Sequence, residues 1–117
     1  MAVAHKPVMK DDNMYQLLRE GRVKDFNALR EQGKTCDLRN ADLRGLDLRG
    51  LDADGLDLRD AYLRQADLRG LDLTGARLEG ASINGAKISG VYFPPELNAE
   101  ELTLSLLHGT RLRYRSP

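Results

Sequence analysis

Between residues 36 and 95 an apolar side chain returns at every fifth position, a period that neither an α-helix nor a flat strand can use. Stepping by five from Leu38 gives Leu43, Leu48, Ala53, Leu58, Leu63, Leu68, Leu73, Leu78, Ile83, Ile88 and Phe93. A second apolar series runs two residues earlier, from Cys36 and Ala41 through Leu46, Leu51 and Leu56 to Val91. Five residues turn an α-helix by about 500°, so the stripe would drift off any fixed face. In a flat strand the same period flips the face at each repeat. The pattern works when each pentad is a short extended side closed by a turn, with both apolar residues pointing inward. Glycine fills eight of the twelve slots two residues after the Leu38 series, and a turn is where its freedom to take positive φ is useful.

The units "ADLRG", "LDLRG" and "CDLRN" resemble A-(D/N)-L-x-x, the motif of the pentapeptide repeat family. The resemblance covers about half of the chain, from Cys36 to Pro95. It implies an all-β solenoid: a short right-handed quadrilateral β-helix of four pentads per coil, capped by N-terminal and C-terminal α-helices. The twelve pentads then make about three coils, each rising by a strand spacing of ~4.8 Å. Every twentieth residue stacks, which puts Ala53 in line with Leu73 and Phe93. Either a side chain of the N-terminal segment fills the notch at Ala53 or the coil pinches inward there.

A stacked solenoid leaves unpaired backbone at both ends and needs caps. Residues 1–12 are expected to be a disordered leader and 13–35 an N-terminal helical cap: two short helices, hinged at Gly21 and stopped at Gly33. Met14, Leu17 and Leu18 share one face of the first helix, and Val23, Phe26 and Leu29 one face of the second. After the repeat domain (36–95), residues 96–117 are expected to form a helix and a short strand. Asn98 with Glu101 reads as a capping-box start, and Gly109 as a stop. The apolar arc of that helix, about 200° wide at 100° per residue, exceeds what covering one coil end requires, nearer 100°. Leu104 and Leu107, with Leu112 and Tyr114 of the alternating "TRLRYR", are therefore candidates for self-association as a homodimer. C-terminal dimerisation of some pentapeptide repeat proteins points the same way.

The residues flanking each inward mark form outward ladders. Arg39 stacks over Arg59, Arg44 over Arg64 and Arg49 over Arg69, with aspartates alongside, and the remaining face carries Asp52, Asp54 and Asp72 without arginine. Like charges across a ladder repel, so each arginine column needs its aspartates. These nine residues form the candidate interaction surface. Their bland reading is a solvated, self-compensating face; the functional one is a grid for a protein partner, since arginine binds bidentately.

Charge excludes other classes. The chain holds 18 basic and 18 acidic residues, net zero, which argues against nucleic-acid binding through phosphate contacts. The one cysteine, Cys36, fits a reduced cytoplasmic location. No run approaches the ~18 apolar residues of a membrane span, and the first ten residues lack the apolar core of a secretory signal. Two histidines, His5 and His108, assemble no catalytic set, and no metal-ligand spacing occurs, so neither enzyme activity nor a cofactor is expected. The expectation is a non-catalytic interaction or scaffold module with an unidentified protein partner. The alternative is a DNA-mimicking modulator of DNA gyrase, which the zero net charge and the arginine columns weaken.

Overall fold

The computed structural model describes residues 7, 8 and 12–115. Each pentad ends in a tight turn in which the first residue of the next side donates back to the inward mark. Examples are Ala41 N–H to the Leu38 carbonyl, Leu51 to Leu48 and Ala61 to Leu58, each at 3.1 Å. The third residue of most such turns takes positive φ, Gly75 being the exception among the repeat glycines. Where no glycine supplies it, Asn40, Asp60 and Gln65 adopt it, with φ of 59°, 60° and 58°. Asn and Asp tolerate this region; for Gln it is a local cost.

Successive coils pair in parallel at a twenty-residue interval. Asp42 bridges to Tyr62 and Tyr62 to Ser82, while Asp47 bridges to Asp67 and Asp67 to Lys87. Tyr62 N–H donates to the Ala41 carbonyl at 3.0 Å and Leu43 N–H to the Tyr62 carbonyl at 2.9 Å. The strands expected of an all-β solenoid are reduced to single-residue bridges among the described residues. A pentad has room for little extended backbone before its next turn. Inside the coils Leu38, Leu43, Leu48, Leu58, Leu63, Leu68, Leu73, Leu78 and Ile83 are buried, whereas Ile88 and Phe93 at the open end are only half-buried.

At Ala53 the ladder loosens. No bridge joins Asp52 to Asp72, and the Gly55 amide donates to the Gly75 carbonyl instead of the Thr74 carbonyl that the usual register offers. The small side chain is nevertheless 2% exposed, because α2 lies over this face.

The N-terminal cap is a pair of helices, α1 (Asn13–Arg19) and α2 (Val23–Glu31). Asp12 caps α1 by accepting from the Met14 and Tyr15 amides. The buried set is Met14, Tyr15 and Leu18, then Val23 and Phe26; Leu17 and Leu29 are only half-buried. Side chains of the cap replace the missing preceding coil. Tyr15 donates its hydroxyl to the Asp42 carbonyl (2.8 Å), and Asn27 donates to the Gly50 carbonyl and accepts from the Asp52 amide (2.9 Å each). Arg30 donates to the carbonyls of Asp52 and Asp54.

Most of the leader expected over 1–12 lies outside the described residues. Within it Val8 is not featureless: it accepts from the Asp42 amide and donates to the Asn40 carbonyl, adding one rung to the first coil. The backbone groups at that edge would otherwise lack partners.

At the other end α3 (Ala99–His108) starts at Asn98, whose side chain accepts from Glu101 N–H (2.9 Å), and stops at left-handed Gly109. Buried Ser105 accepts from the Ile83 amide at 3.0 Å, and the Leu106 carbonyl accepts from the Gly85 amide at 3.0 Å. The segment after α3 is not a regular strand. Leu112 alone takes the rung position, donating to the Ala81 carbonyl and accepting from the Gly80 amide, both at 2.8 Å.

Candidate interaction surface

The residues before and after each inward mark both point outward, so Asp and Arg two apart in one pentad meet. In Asp42–Leu43–Arg44 the Asp42 Oδ1 accepts from the Arg44 backbone amide (3.2 Å) and from its Nε (2.9 Å), while Oδ2 accepts from its terminal nitrogen (2.9 Å). The same fork joins Asp37 to Arg39, Asp47 to Arg49, Asp57 to Arg59 and Asp67 to Arg69. Arginine hydrogen bonds hold Asp42, Asp47 and Asp57 below the usual carboxylate range. Asp67 is held at about 2, first by Arg69 and further by Arg49. Compensation of the arginine columns therefore operates inside each pentad, with coil-to-coil pairing added at Asp67.

Arg64 is the exception. Its pentad carries Tyr62 in the aspartate position, and the Arg64 guanidinium makes no hydrogen bond or ion pair with the described residues. Beside it Arg111, outside every repeat, donates to the Gly80 carbonyl (2.8 Å) and to the Tyr62 hydroxyl (2.7 Å). Its guanidinium lies 5.2 Å from the ring centroid.

The face of Asp52, Asp54 and Asp72 is not left without a cation, as the repeat pattern alone implies. Arg30 of α2 reaches it, 3.6 Å from the Asp52 carboxylate. Asp72 accepts from Thr74, which lowers its pKa. The repeat pattern assigns neither Arg30 nor Arg111 to these faces, because both come from the caps. A signal for Arg30 existed, since it sits four residues after inward Phe26 on a helix; the alternation of "TRLRYR" puts Arg111 on the polar side of its segment but does not tell that it meets Tyr62.

The candidate self-association residues separate into two pairs. Leu104 and Leu107 are 37% and 69% exposed. Leu112 is 1% exposed, and Tyr114 accepts from the Leu78 amide through its hydroxyl (2.8 Å). Both are consumed by the intramolecular cap, because the last coil needs their hydrogen-bonding groups, and they leave the candidate surface. The cap does not cover the whole end. The amides of Ile88 and Gly90 donate to no described residue, although Leu68 and Gly70 one coil earlier donate to Lys87 and Ser89.

Among the described residues no three His, Cys, Asp or Glu side chains converge as a metal site, and no helix is long and apolar enough to cross a membrane. Cys36 forms no disulfide. The family model described as Pentapeptide repeats matches residues 36–60 and 57–93, in 8 copies. No curated protein and no solved structure matches the chain significantly.

Proposed function

We propose that this chain, which belongs to the pentapeptide repeat family through residues 36–93, is a non-catalytic protein-interaction module that pairs with a second copy of itself through α3. Its coil is then the right-handed quadrilateral β-helix that the family generally forms, and its forked Asp/Arg faces are offered to a protein partner. A reduced, cytoplasmic setting goes with this reading, since the single cysteine forms no disulfide.

The observation that carries the reading is the C-terminal end. Exposed Leu104 and Leu107 sit on the cap of a coil whose Ile88 and Gly90 amides lack a described partner. Apolar exposure beside an open edge favours association. One copy of such a face turned about a two-fold axis meets another, which closes the assembly at two. The forks favour recognition by a different route. They fix the arginine rotamers beforehand, which lowers the entropy lost on binding. Mimicry of DNA in gyrase modulation gains no support, because five of the aspartates each hold an arginine.

Light scattering on the wild type and on Leu107→Glu tests the dimer. The wild type is expected at twice the 13.1 kDa chain mass and the variant at the chain mass with unchanged circular dichroism. A wild type that stays monomeric at high concentration removes the self-association reading.

A further inference from the structure

We infer that the cleft bounded by Arg44, Arg64 and Arg111 around Tyr62 binds a phosphomonoester dianion. The cleft measures about 280 Å³, and its lining includes Arg44, Tyr62, Arg64, Ser82, Asn84 and Arg111, with no carboxylate among the described residues that line it. Drug-sized ligands occupy sites of roughly 300–1,000 Å³, so this cleft suits a small charged head group.

The neighbourhood is built differently from the rest of the surface. Elsewhere each arginine that directly follows an inward mark has an aspartate two residues before it. Here the aspartate is replaced by Tyr62 while the arginine is kept, so the Arg64 guanidinium retains its charge with no described partner. Arg111 is brought in from the C-terminal segment and fixed on the Tyr62 hydroxyl and ring. Three guanidinium groups line the cleft, Arg44, Arg64 and Arg111, and a fourth, Arg19, lines the adjoining groove that shares Arg44 and Arg64. Two carboxylates oppose them, Asp42 forked to Arg44 and Asp60 at 3.9 Å from Arg111. Four positive and two negative charges leave two positive. A phosphomonoester carries about −1.5 to −2 at pH 7, and guanidinium forks match its oxygens. A phosphodiester strand fits less well. It presents one charge per phosphate along a track, and Arg39, Arg49, Arg59 and Arg69 are already neutralised.

The test is a ¹H–¹⁵N NMR titration of the full chain with inorganic phosphate at roughly 20 mM ionic strength, where the screening length is about 20 Å. Saturable shifts are expected at Arg64, Ser82, Asn84 and Arg111, with binding tightening as pH rises through the second ionisation of inorganic phosphate, roughly one unit above the ~6 of a phosphomonoester. Arg64→Gln should weaken binding by ~10-fold or more, whereas Arg39→Gln, in a self-compensated fork, should leave it unchanged. A phosphoserine peptide that binds more tightly than phosphate assigns the group to a modified protein; equal affinity assigns it to small phosphates, and both outcomes uphold the site. Linear, unsaturated shifts, equal loss in Arg39→Gln, or tighter binding of single-stranded DNA than of phosphate would overturn it.

Discussion

Arg49 is held by two aspartates twenty residues apart: its terminal nitrogen lies 2.8 Å from Asp47 of its own pentad, and its Nε lies 3.4 Å from Asp67 one coil further on. Asp67 in turn accepts from Arg69 at 2.7 Å. A repeat unit that compensates its own charge is thus also tied to its neighbour, and the buried carboxylate of Asp67 is the shared node.

That node predicts the acid response. The Asp67 carboxyl is lowered to about 2 in the folded chain, below the ~3.9 of an unfolded aspartate. Its contribution is therefore complete above about pH 4 and is lost as pH falls from about 4 toward 2. Urea midpoints should drop between pH 6 and pH 3 in the wild type, and drop less in Asp67→Asn. Equal drops would show that other carboxylates govern the transition.

The N-terminal cap predicts the cost of one hydroxyl. Tyr15 is fully buried and bonds to the Asp42 carbonyl at 2.8 Å. Tyr15→Phe leaves that carbonyl unpaired and is expected to cost about 1–2 kcal/mol in chemical denaturation. A change below a few tenths would mean that water reaches the carbonyl.

Two turn glycines should differ on substitution by alanine. Gly50 has a φ of +83°, and a methyl group placed on its Cα would meet no atom within 4 Å, so Gly50→Ala costs only backbone strain, about 1–2 kcal/mol. Gly80 has a φ of +78°, and the corresponding methyl would fall 1.9 Å from Asp60 Oδ1. Gly80→Ala must also displace Asp60, and its thermal midpoint is expected to lie below that of Gly50→Ala.

Ala53 looks like an unfilled slot, and filling it should fail. With 2% exposure under α2, Ala53→Leu overpacks the first coil and is expected to lose about 1–3 kcal/mol. A stabilised variant, judged by its urea midpoint, would mean that a void remains there.

At the C-terminal end the two leucine classes should separate. Leu112→Ala removes a side chain that is 1% exposed and should cost about 2–5 kcal/mol. Leu104→Glu, at an exposed position, should stay within about 0.5 kcal/mol of the wild type in the isolated chain. Comparable losses at both positions would place Leu104 inside the cap.

The coil, and the pairing of charges along most of it, can be read from the order of residues alone. A five-residue apolar period suits short extended sides closed by turns, the resemblance to pentapeptide repeats implies how many sides make a coil, and the two residues flanking an inward leucine then stand side by side outside it. Asp–Leu–Arg therefore already contains its fork, and Asn40, Asp60 and Gln65 already mark turns that lack glycine. The caps are not periodic, and their arrangement comes from packing between distant segments. Leu112 and Leu107 both look like surplus apolar residues in the chain, yet Leu112 is drawn onto the Ala81 carbonyl while Leu107 stays in solvent. Arg30 and Arg111 settle on faces to which no repeat assigns them, because the backbone edges and the Tyr62 ring there offer hydrogen-bonding and cation–π partners. Local periodicity fixes what a repeat does to itself. Which cap residue meets which exposed edge depends on contacts between segments far apart in the chain, and these exist only once the coil is closed.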